Sequence, residues 1–264
     1  MIFLSKDLTD PYINAYARAL GCTPIDPASF VFEDSTDPIV LRGIGKKKIL
    51  HRCWRENRDF YFIDTGYFGN EMSLKNPNGW KYWHRIVKNN LQHGDIIDRP
   101  KDRFRSFNKK FKPWKKSGDK ILIAAPDEKP CKFYGIDLDE WLTNTISEIK
   151  KFTDRPVEVR QRTKNRQARM FKNSFEEAIK DNIFALVTFN SNAAVESIFQ
   201  GVPAFVLSPV HAASPVAKKD ISQIENPYYA SSEELEQWAN HLAYGMVHTS
   251  ELKSGKAKDI MDMQ

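Results

Sequence analysis

The chain has 264 residues, of which 41% are hydrophobic and 28% are charged, and its formal net charge is +6. This composition excludes an intrinsically disordered chain, and the length suffices for one large domain or two smaller ones. No apolar run approaches the roughly 18 residues of a membrane span, and the N-terminus lacks a signal-peptide layout, so we expect a soluble cytoplasmic protein without stable membrane insertion.

In the amino-terminal half, short apolar runs predict strands at residues 39–41, 48–50 and 60–63 of an α/β domain. Asp64 directly follows the last of these strands. Because open α/β sheets place their ligands at the carboxyl ends of parallel strands, Asp64 is a candidate site residue. An aspartate that caps the N–H groups of a turn is an equally good interpretation.

Positive charge is concentrated in residues 99–120, which contain ten basic and two acidic residues. Phe104, Phe107, Phe111 and Trp114 recur there at helical spacing, which predicts either an amphipathic helix that packs its aromatic side chains or a surface that follows a nucleic-acid backbone. The candidate nucleic-acid contacts are Arg103, Arg105, Lys109, Lys110 and Lys112.

From Lys120 onwards the chain alternates predicted strands and helices. Strands are expected at residues 120–126, 156–160, 184–187 and 204–207, and a helix is expected after Asp137, which with Glu140 resembles a capping box. This alternation predicts a parallel, doubly wound sheet.

The segment from Phe184 to Ser208 carries the strongest functional signal, because a buried strand, a polar turn, a short helix and a second strand follow one another. Free backbone N–H groups at such a helix start can donate hydrogen bonds to the phosphates of a nucleotide. Glu196, one turn further along the helix, can accept hydrogen bonds from a ribose diol. An ordinary βαβ unit that caps only its own helix is the competing interpretation.

The order S-x-x-x-x-E-S-x-x-x-G-x-P, beginning at Ser191, resembles the donor-sugar site of GT-B glycosyltransferases. The chain beyond Lys120 is also similar to capsule-type transferases and to glycosyltransferase-like proteins of bacteriophages. The resemblance implies two Rossmann-like α/β domains facing across a cleft: an acceptor-binding domain at 1–116, and at 117–264 a domain with C-terminal helices that binds the nucleotide sugar.

By this resemblance the donor, with a UDP-sugar favoured, would contact Arg162, Lys164, Ser191, Asn192, Ala193 and Glu196. An inverting enzyme would need a base, for which Asp64 is the first candidate and His84, His51 and Asp98 are alternatives; a retaining mechanism needs none there. The resemblance requires no cofactor or metal, and neither a D-x-D pair nor a histidine cluster indicates a metal.

The acceptor is predicted separately. The basic segment and the phage resemblance favour double-stranded DNA that carries 5-hydroxymethylcytosine, and the modified base would have to be flipped out of the helix. If the protein is viral, the expected compartment is the host cytoplasm. A capsule or other polysaccharide acceptor is the alternative. A non-catalytic DNA-binding protein, with its βαβ units as scaffold, is a third hypothesis.

Overall fold

A computed structural model describes residues 1–70, 79–161, 175–180 and 182–263 of the chain. Contacts divide the described residues into two units. Unit 1 contains those up to His93 and those from Leu242 onwards, and unit 2 runs from Gly94 to His241. Each unit contains its own β-sheet and its own hydrophobic core.

The strands and helices of the described residues are numbered in chain order. The strands are β1 Ile2–Leu4, β2 Ile39–Arg42, β3 Phe60–Thr65, β4 Trp83–Lys88, β5 Lys120–Ala124, β6 Val157–Arg160, β7 Ile183–Thr188, β8 Ala204–Val206 and β9 Met246–His248. The α-helices are α1 Pro11–Ala19, α2 Lys47–Arg55, α3 Asp102–Arg105, α4 Glu128–Tyr134, α5 Leu138–Ile149, α6 Phe175–Lys180, α7 Ala193–Phe199, α8 Ser232–Tyr244, α9 Thr249–Ser254 and α10 Ala257–Asp262.

Unit 1 is built on a mixed sheet with the strand order β1-β2-β3-β4-β9. The first three strands are parallel, whereas β4 is antiparallel to both β3 and β9. Helix α1 begins after Asp10, whose side chain accepts hydrogen bonds from the N–H groups of Tyr12 and Ile13. Ile13, Leu252 and Ile260 pack against the strands, so α1, α9 and α10 share one core with the sheet.

Unit 2 is built on a parallel sheet with the strand order β6-β5-β7-β8. All six residues of β7 are buried, as expected of a strand covered on both faces. Helix α5 begins after Asp137, whose side chain accepts a hydrogen bond from the N–H of Glu140 at 2.9 Å. The predicted alternation of strands and helices and the parallel sheet are therefore confirmed, and the fold class is mixed α/β.

The division into units differs from the predicted domains at 1–116 and 117–264. Residues 94–116 belong to unit 2, where the N–H of Lys112 donates to Phe199 O and the N–H of Lys115 donates to Gly201 O. The C-terminal residues belong to unit 1, because β9 pairs with β4. These contacts join residues far apart in the chain, so local composition did not reveal them.

Two predicted elements are wrong. Residues 48–50 lie in α2 rather than in a strand, since Leu50 and Cys53, three residues apart, bury one face of a helix. The aromatic spacing in residues 104–114 does not form one helix: α3 ends at Arg105, and Pro113 is incompatible with a helix interior.

Candidate functional site

The polar turn after β7 lies at the carboxyl edge of the unit 2 sheet. The chain passes from β5 to β6 on one side and then crosses to β7 and β8 on the other, so the strand order reverses between β5 and β7. Open α/β sheets bind ligands outside the carboxyl ends of the strands at such a reversal. Residues 125–127 after β5 and residues 189–192 after β7 flank this position.

Side-chain hydroxyl groups fix the conformation of the turn. Thr188, the last residue of β7, donates from Oγ1 to the carbonyl oxygen of Ala124 at 2.7 Å and accepts a longer hydrogen bond from the N–H of Ser191 at 3.4 Å. The Ser191 hydroxyl oxygen accepts from the N–H of Ala193 at 3.2 Å. The turn is thereby tied both to the neighbouring strand and to the start of α7.

A buried histidine holds the turn from the other side. His211 is fully buried, and its Nδ1 accepts a hydrogen bond from the N–H of Ala213 at 2.9 Å. A nitrogen that accepts carries no proton, so the neutral ring has its proton on Nε2. That Nε2–H faces the carbonyl oxygen of Ser191 at 3.1 Å and donates to it.

The structure brings four of the predicted donor residues together: Ser191, Asn192, Ala193 and Glu196 lie in the turn and the first turn of α7, and all four side chains are partly exposed. The N–H of Glu196 donates to Asn192 O at 3.1 Å, which confirms that these two residues are stacked on the helix. Arg162 and Lys164 lie outside the described residues.

The capping pattern differs from the expected one. Asn192 has helical backbone angles and no side-chain capping bond, whereas Ser191 caps Ala193. The N–H groups of Ser191 and Ala193 both have intramolecular acceptors. The hydroxyl hydrogen of Ser191 has no acceptor among the described residues, so it is a donor that a ligand can use.

In unit 1, Asp64 lies opposite Arg85 in the pairing of β3 with β4. Its Oδ2 accepts from Arg85 Nη2 at 3.3 Å, and its Oδ1 accepts from the N–H of Thr65 at 2.8 Å. The Arg85 guanidinium also donates to Thr65 O at 2.8 Å and to Leu91 O at 3.0 Å. Asp64 therefore has a structural role as the counterion of a buried arginine.

The alternative bases occupy different environments. His84 is 1% exposed and packs on the Tyr12 ring with the centroids 4.2 Å apart. Burial, followed by the positive charge of Arg42, lowers the pKa of His84 to about 4, so the ring is neutral at pH 7. His51 is exposed on α2, and Asp98 is exposed in unit 2.

No family model matches the sequence, and no curated protein matches it either. Two solved structures of Thermosulfurimonas dismutans KpsC have a similar fold. The one titled "beta Kdo 2,4 transferase" has a TM-score of 0.51 and 11% identity, covering 90% of this chain and 88% of its own. The one titled "beta Kdo 2,7 transferase" has a TM-score of 0.50 and 11% identity, covering 98% and 100%. At this identity the likeness establishes the fold alone.

The aromatic residues of the basic segment pack inside unit 2. Phe104 is buried, and the Phe111 ring stacks on Phe199 with the centroids 4.6 Å apart. Trp114 donates from Nε1 to Ala230 O at 2.8 Å. This packing agrees with the interpretation in which the aromatic side chains face inward; Phe107, Phe111 and Trp114 remain partly exposed, and base stacking stays a prediction.

The predicted nucleic-acid contacts differ in exposure. Arg105, Lys110 and Lys112 are exposed, whereas Arg103 and Lys109 are partly buried, and Lys109 Nζ lies 5.1 Å from the centroid of the Phe199 ring. Nucleic-acid binding by these five residues stays a prediction.

Within the described ranges, no three histidine, cysteine, aspartate or glutamate side chains are grouped so that they could hold a metal ion. In the same ranges, no helix has the length and apolar character needed to span a membrane.

Sequence reasoning missed two residues of the site, Thr188 and His211. The strand was predicted from the apolar run at 184–187, so Thr188, which ends β7, was left out. A hydroxyl residue directly after an apolar run is the signal that could have pointed to it. His211 is 20 residues from Ser191 in a segment without a motif, so no local signal pointed to it.

Proposed function

We propose that the protein is a glycosyltransferase that moves a sugar from a nucleotide-sugar donor to a hydroxyl group of a saccharide. The observation that carries this proposal is the fold likeness to two Kdo transferases over 90% and 98% of the chain. The position of the polar turn supports it, since the turn lies where a parallel sheet binds ligands. The resemblance beginning at Ser191 assigns the same turn to the donor nucleotide.

The donor would be held in unit 2 by groups that the turn presents. The Ser191 hydroxyl would donate to a phosphate oxygen, and Glu196 would accept hydrogen bonds from the ribose diol. Asn192 and Ala193 complete the start of α7, while Arg162 and Lys164 would neutralise charge on the leaving diphosphate. Thr188 and His211 would act as positioning residues, because they fix the backbone of Ser191. A UDP-sugar remains the favoured donor, without a cofactor or metal.

Asp64 stays the first candidate for a base that deprotonates the acceptor hydroxyl. Its side chain is one third exposed. The carboxylate pairs with Arg85 Nη2 at 3.3 Å. His84, His51 and Asp98 remain the alternatives.

A saccharide is the proposed acceptor rather than DNA. The similar solved structures are titled as Kdo transferases, which favours the resemblance to capsule-type enzymes over that to phage DNA-modifying proteins. In addition, the aromatic residues that a DNA surface would use are packed in unit 2.

Thermal stabilisation by UDP, GDP or CMP tests the donor site. A ligand at one hundred times its Kd stabilises the folded state by about 2.7 kcal/mol, so a clear rise in Tm is expected for the correct nucleotide. Glu196→Ala should abolish the rise, whereas Glu148→Gln, which changes an exposed glutamate of α5, should retain it. No rise with any nucleotide would contradict the proposal.

Transfer assays test the acceptor. The protein is incubated with labelled nucleotide sugars and four acceptors: neutral oligosaccharides, acidic oligosaccharides, hydroxymethylcytosine DNA and unmodified DNA. The proposal expects label only in a saccharide. If only hydroxymethylcytosine DNA is labelled, the protein is a glycosyltransferase whose acceptor is DNA, and the proposed saccharide acceptor is wrong.

A further inference from the structure

A second group of polar side chains lies in unit 1, at the carboxyl ends of its parallel strands. Arg42 ends β2, Lys46 follows it in the next turn, and Asp10 lies between β1 and α1. His84 on β4 pairs with Thr65, the last residue of β3, so it lies at the same edge. With Tyr12 of α1, these residues are called the edge cluster: Asp10, Tyr12, Arg42, Lys46 and His84.

The members of the edge cluster contact one another in series. Arg42 Nη1 pairs with Asp10 Oδ2 at 3.3 Å, and the Arg42 guanidinium carbon lies 4.6 Å from the centroid of the Tyr12 ring. The Tyr12 ring in turn packs on His84. Lys46 Nζ donates to the carbonyl oxygen of Arg42 at 2.9 Å. The five side chains thus form one continuous polar group.

Much of the hydrogen-bonding capacity of this group is unused. Neither ring nitrogen of the buried His84 has a hydrogen-bond partner with good geometry among the described residues; the Lys81 carbonyl is close enough only to oppose the lowering of the His84 pKa. Arg42 Nε is likewise buried without an acceptor. The described part of the chain also supplies no hydrogen-bond partner for the Tyr12 hydroxyl and no carboxylate within 4.0 Å of Lys46 Nζ. Buried polar groups in folded proteins are nearly always paired, so the His84 ring and Arg42 Nε indicate a missing partner.

The charge of the cluster indicates the kind of partner. Burial, above all, lowers the pKa of Lys46, and the nearby positive charges of Arg42 and Lys6 lower it further, against Asp10 and Asp26. The carboxylate of Asp10 is already engaged, since Oδ1 caps α1 and Oδ2 pairs with Arg42. Water can satisfy hydrogen bonds but cannot neutralise charge, so the cluster favours an anion.

The turn beside the cluster leaves space for a ligand. The chain passes from Arg42 to Lys46 through Gly43 and Gly45, and a Cβ atom built at either glycine would meet no atom within 4 Å. Gly43 has φ +72°, a conformation that glycine adopts without strain. The backbone is therefore open to solvent where the two basic side chains leave it.

We propose that the edge cluster binds an oxyanion, the phosphate or carboxylate group of a small molecule, through Arg42, Lys46, Tyr12 and His84. Arg42 and Lys46 supply the charge, and Arg42 Nε, Lys46 Nζ, the Tyr12 hydroxyl and one His84 N–H supply the donors. This site goes beyond the proposed function, because it involves neither the turn at Ser191 nor a nucleotide.

NMR of the full chain with labelled histidine tests the site directly. The probes are inorganic phosphate, glucose 1-phosphate and glucuronate at pH 7 and constant ionic strength, with glucose as the neutral control. A saturable shift of the His84 ring signals, assigned with His84→Gln, is expected for at least one oxyanion and not for glucose. A shift with phosphate and glucose 1-phosphate but not with glucuronate would identify a phosphate site. A shift with glucuronate alone would identify a carboxylate site. No saturable shift with any probe would overturn the proposal.

Substitutions of Lys46 and Lys48 distinguish specific binding of the anion at the edge cluster from general electrostatic attraction to a basic surface. Lys46→Met should raise the Kd about tenfold, as expected for a lost charge-assisted hydrogen bond, while Lys46→Arg should retain most of the affinity. Lys48→Met removes the same charge from an exposed side chain two residues away and should change the Kd less than twofold. Equal losses in Lys46→Met and Lys48→Met would refute the site. Because the titration needs no nucleotide, it is independent of whether the glycosyltransferase proposal holds.

Discussion

His211 donates from Nε2 to the carbonyl oxygen of Ser191 over 3.1 Å while its Nδ1 accepts from the N–H of Ala213 at 2.9 Å. One imidazole thereby joins the loop after β8 to the turn after β7. Because the ring is fully buried, both bonds are shielded from competition by water. The conformation of the candidate donor turn consequently depends on a residue outside that turn.

His211→Phe should destabilise the protein by about 2–4 kcal/mol, because it leaves a buried carbonyl oxygen and a buried N–H without their partners. Urea denaturation at pH 7 measures the loss. His51→Phe, on the exposed face of α2, is the matched control and should change stability by less than about 0.5 kcal/mol. If the two variants are equally stable, the two hydrogen bonds of His211 do not hold the turn.

The glycine that ends α7 should be irreplaceable. Gly201 has φ +74°, and a Cβ atom there would collide with the carbonyl oxygen of Pro113. Gly201→Ala therefore combines backbone strain with a clash and should cost about 3 kcal/mol or more. Gly135→Ala is the control, since Gly135 has φ +70° but a Cβ would meet nothing within 4 Å; about 1–2 kcal/mol is expected. If a denaturation assay finds similar losses of stability for Gly201→Ala and Gly135→Ala, the backbone at Pro113 moves to accommodate the added Cβ atom.

Local patterns predicted unit 2 well, because β7, the turn at Ser191 and α7 follow one another within a short segment. The apolar run of β7 and the buried residues of α7 carried that prediction. Contacts between distant residues were not predictable in this way. β9 pairs with β4 across more than 150 residues, and His211 reaches Ser191 from a segment without a motif.

The buried His84 should make the protein sensitive to acid. Its pKa is about 4 in the folded state, chiefly because of burial and then because of Arg42, against an unfolded value of about 6.5. Between these values the unfolded chain binds the proton more tightly, so stability falls as the pH falls from 6.5 to 4. Asp64, Asp10 and the Lys81 carbonyl oppose the shift.

The shift corresponds to about 3 kcal/mol for this one residue. His84→Phe removes the titrating group, so the stability difference between the wild-type protein and the variant should change in favour of the variant as the pH falls from 7 to 4.5. Urea denaturation across this range measures it. If the stabilities of the wild-type protein and His84→Phe change in parallel with pH, His84 is protonated in the folded state as readily as in the unfolded state.

Arg85 and Asp64 should respond differently to substitution. Arg85→Met removes the donors to Thr65 O and Leu91 O as well as the counterion of Asp64, so we expect a loss of about 3 kcal/mol. Asp64→Asn keeps the shape and an acceptor for the N–H of Thr65, and it should cost only about 1 kcal/mol. Urea denaturation of both variants measures the difference. Equal losses would mean that the ion pair dominates the contribution of Arg85.

The small stability cost of Asp64→Asn makes this variant a clean test of the base. An amide cannot accept a proton from the acceptor hydroxyl, so a catalytic Asp64 predicts a fall in the rate of sugar transfer of about a hundredfold or more. The fall should appear in kcat, with the nucleotide-induced rise in Tm unchanged. If the carboxylate serves only as the counterion of Arg85, the folded variant should retain its kcat, and the search for the base moves to His84, His51 and Asp98.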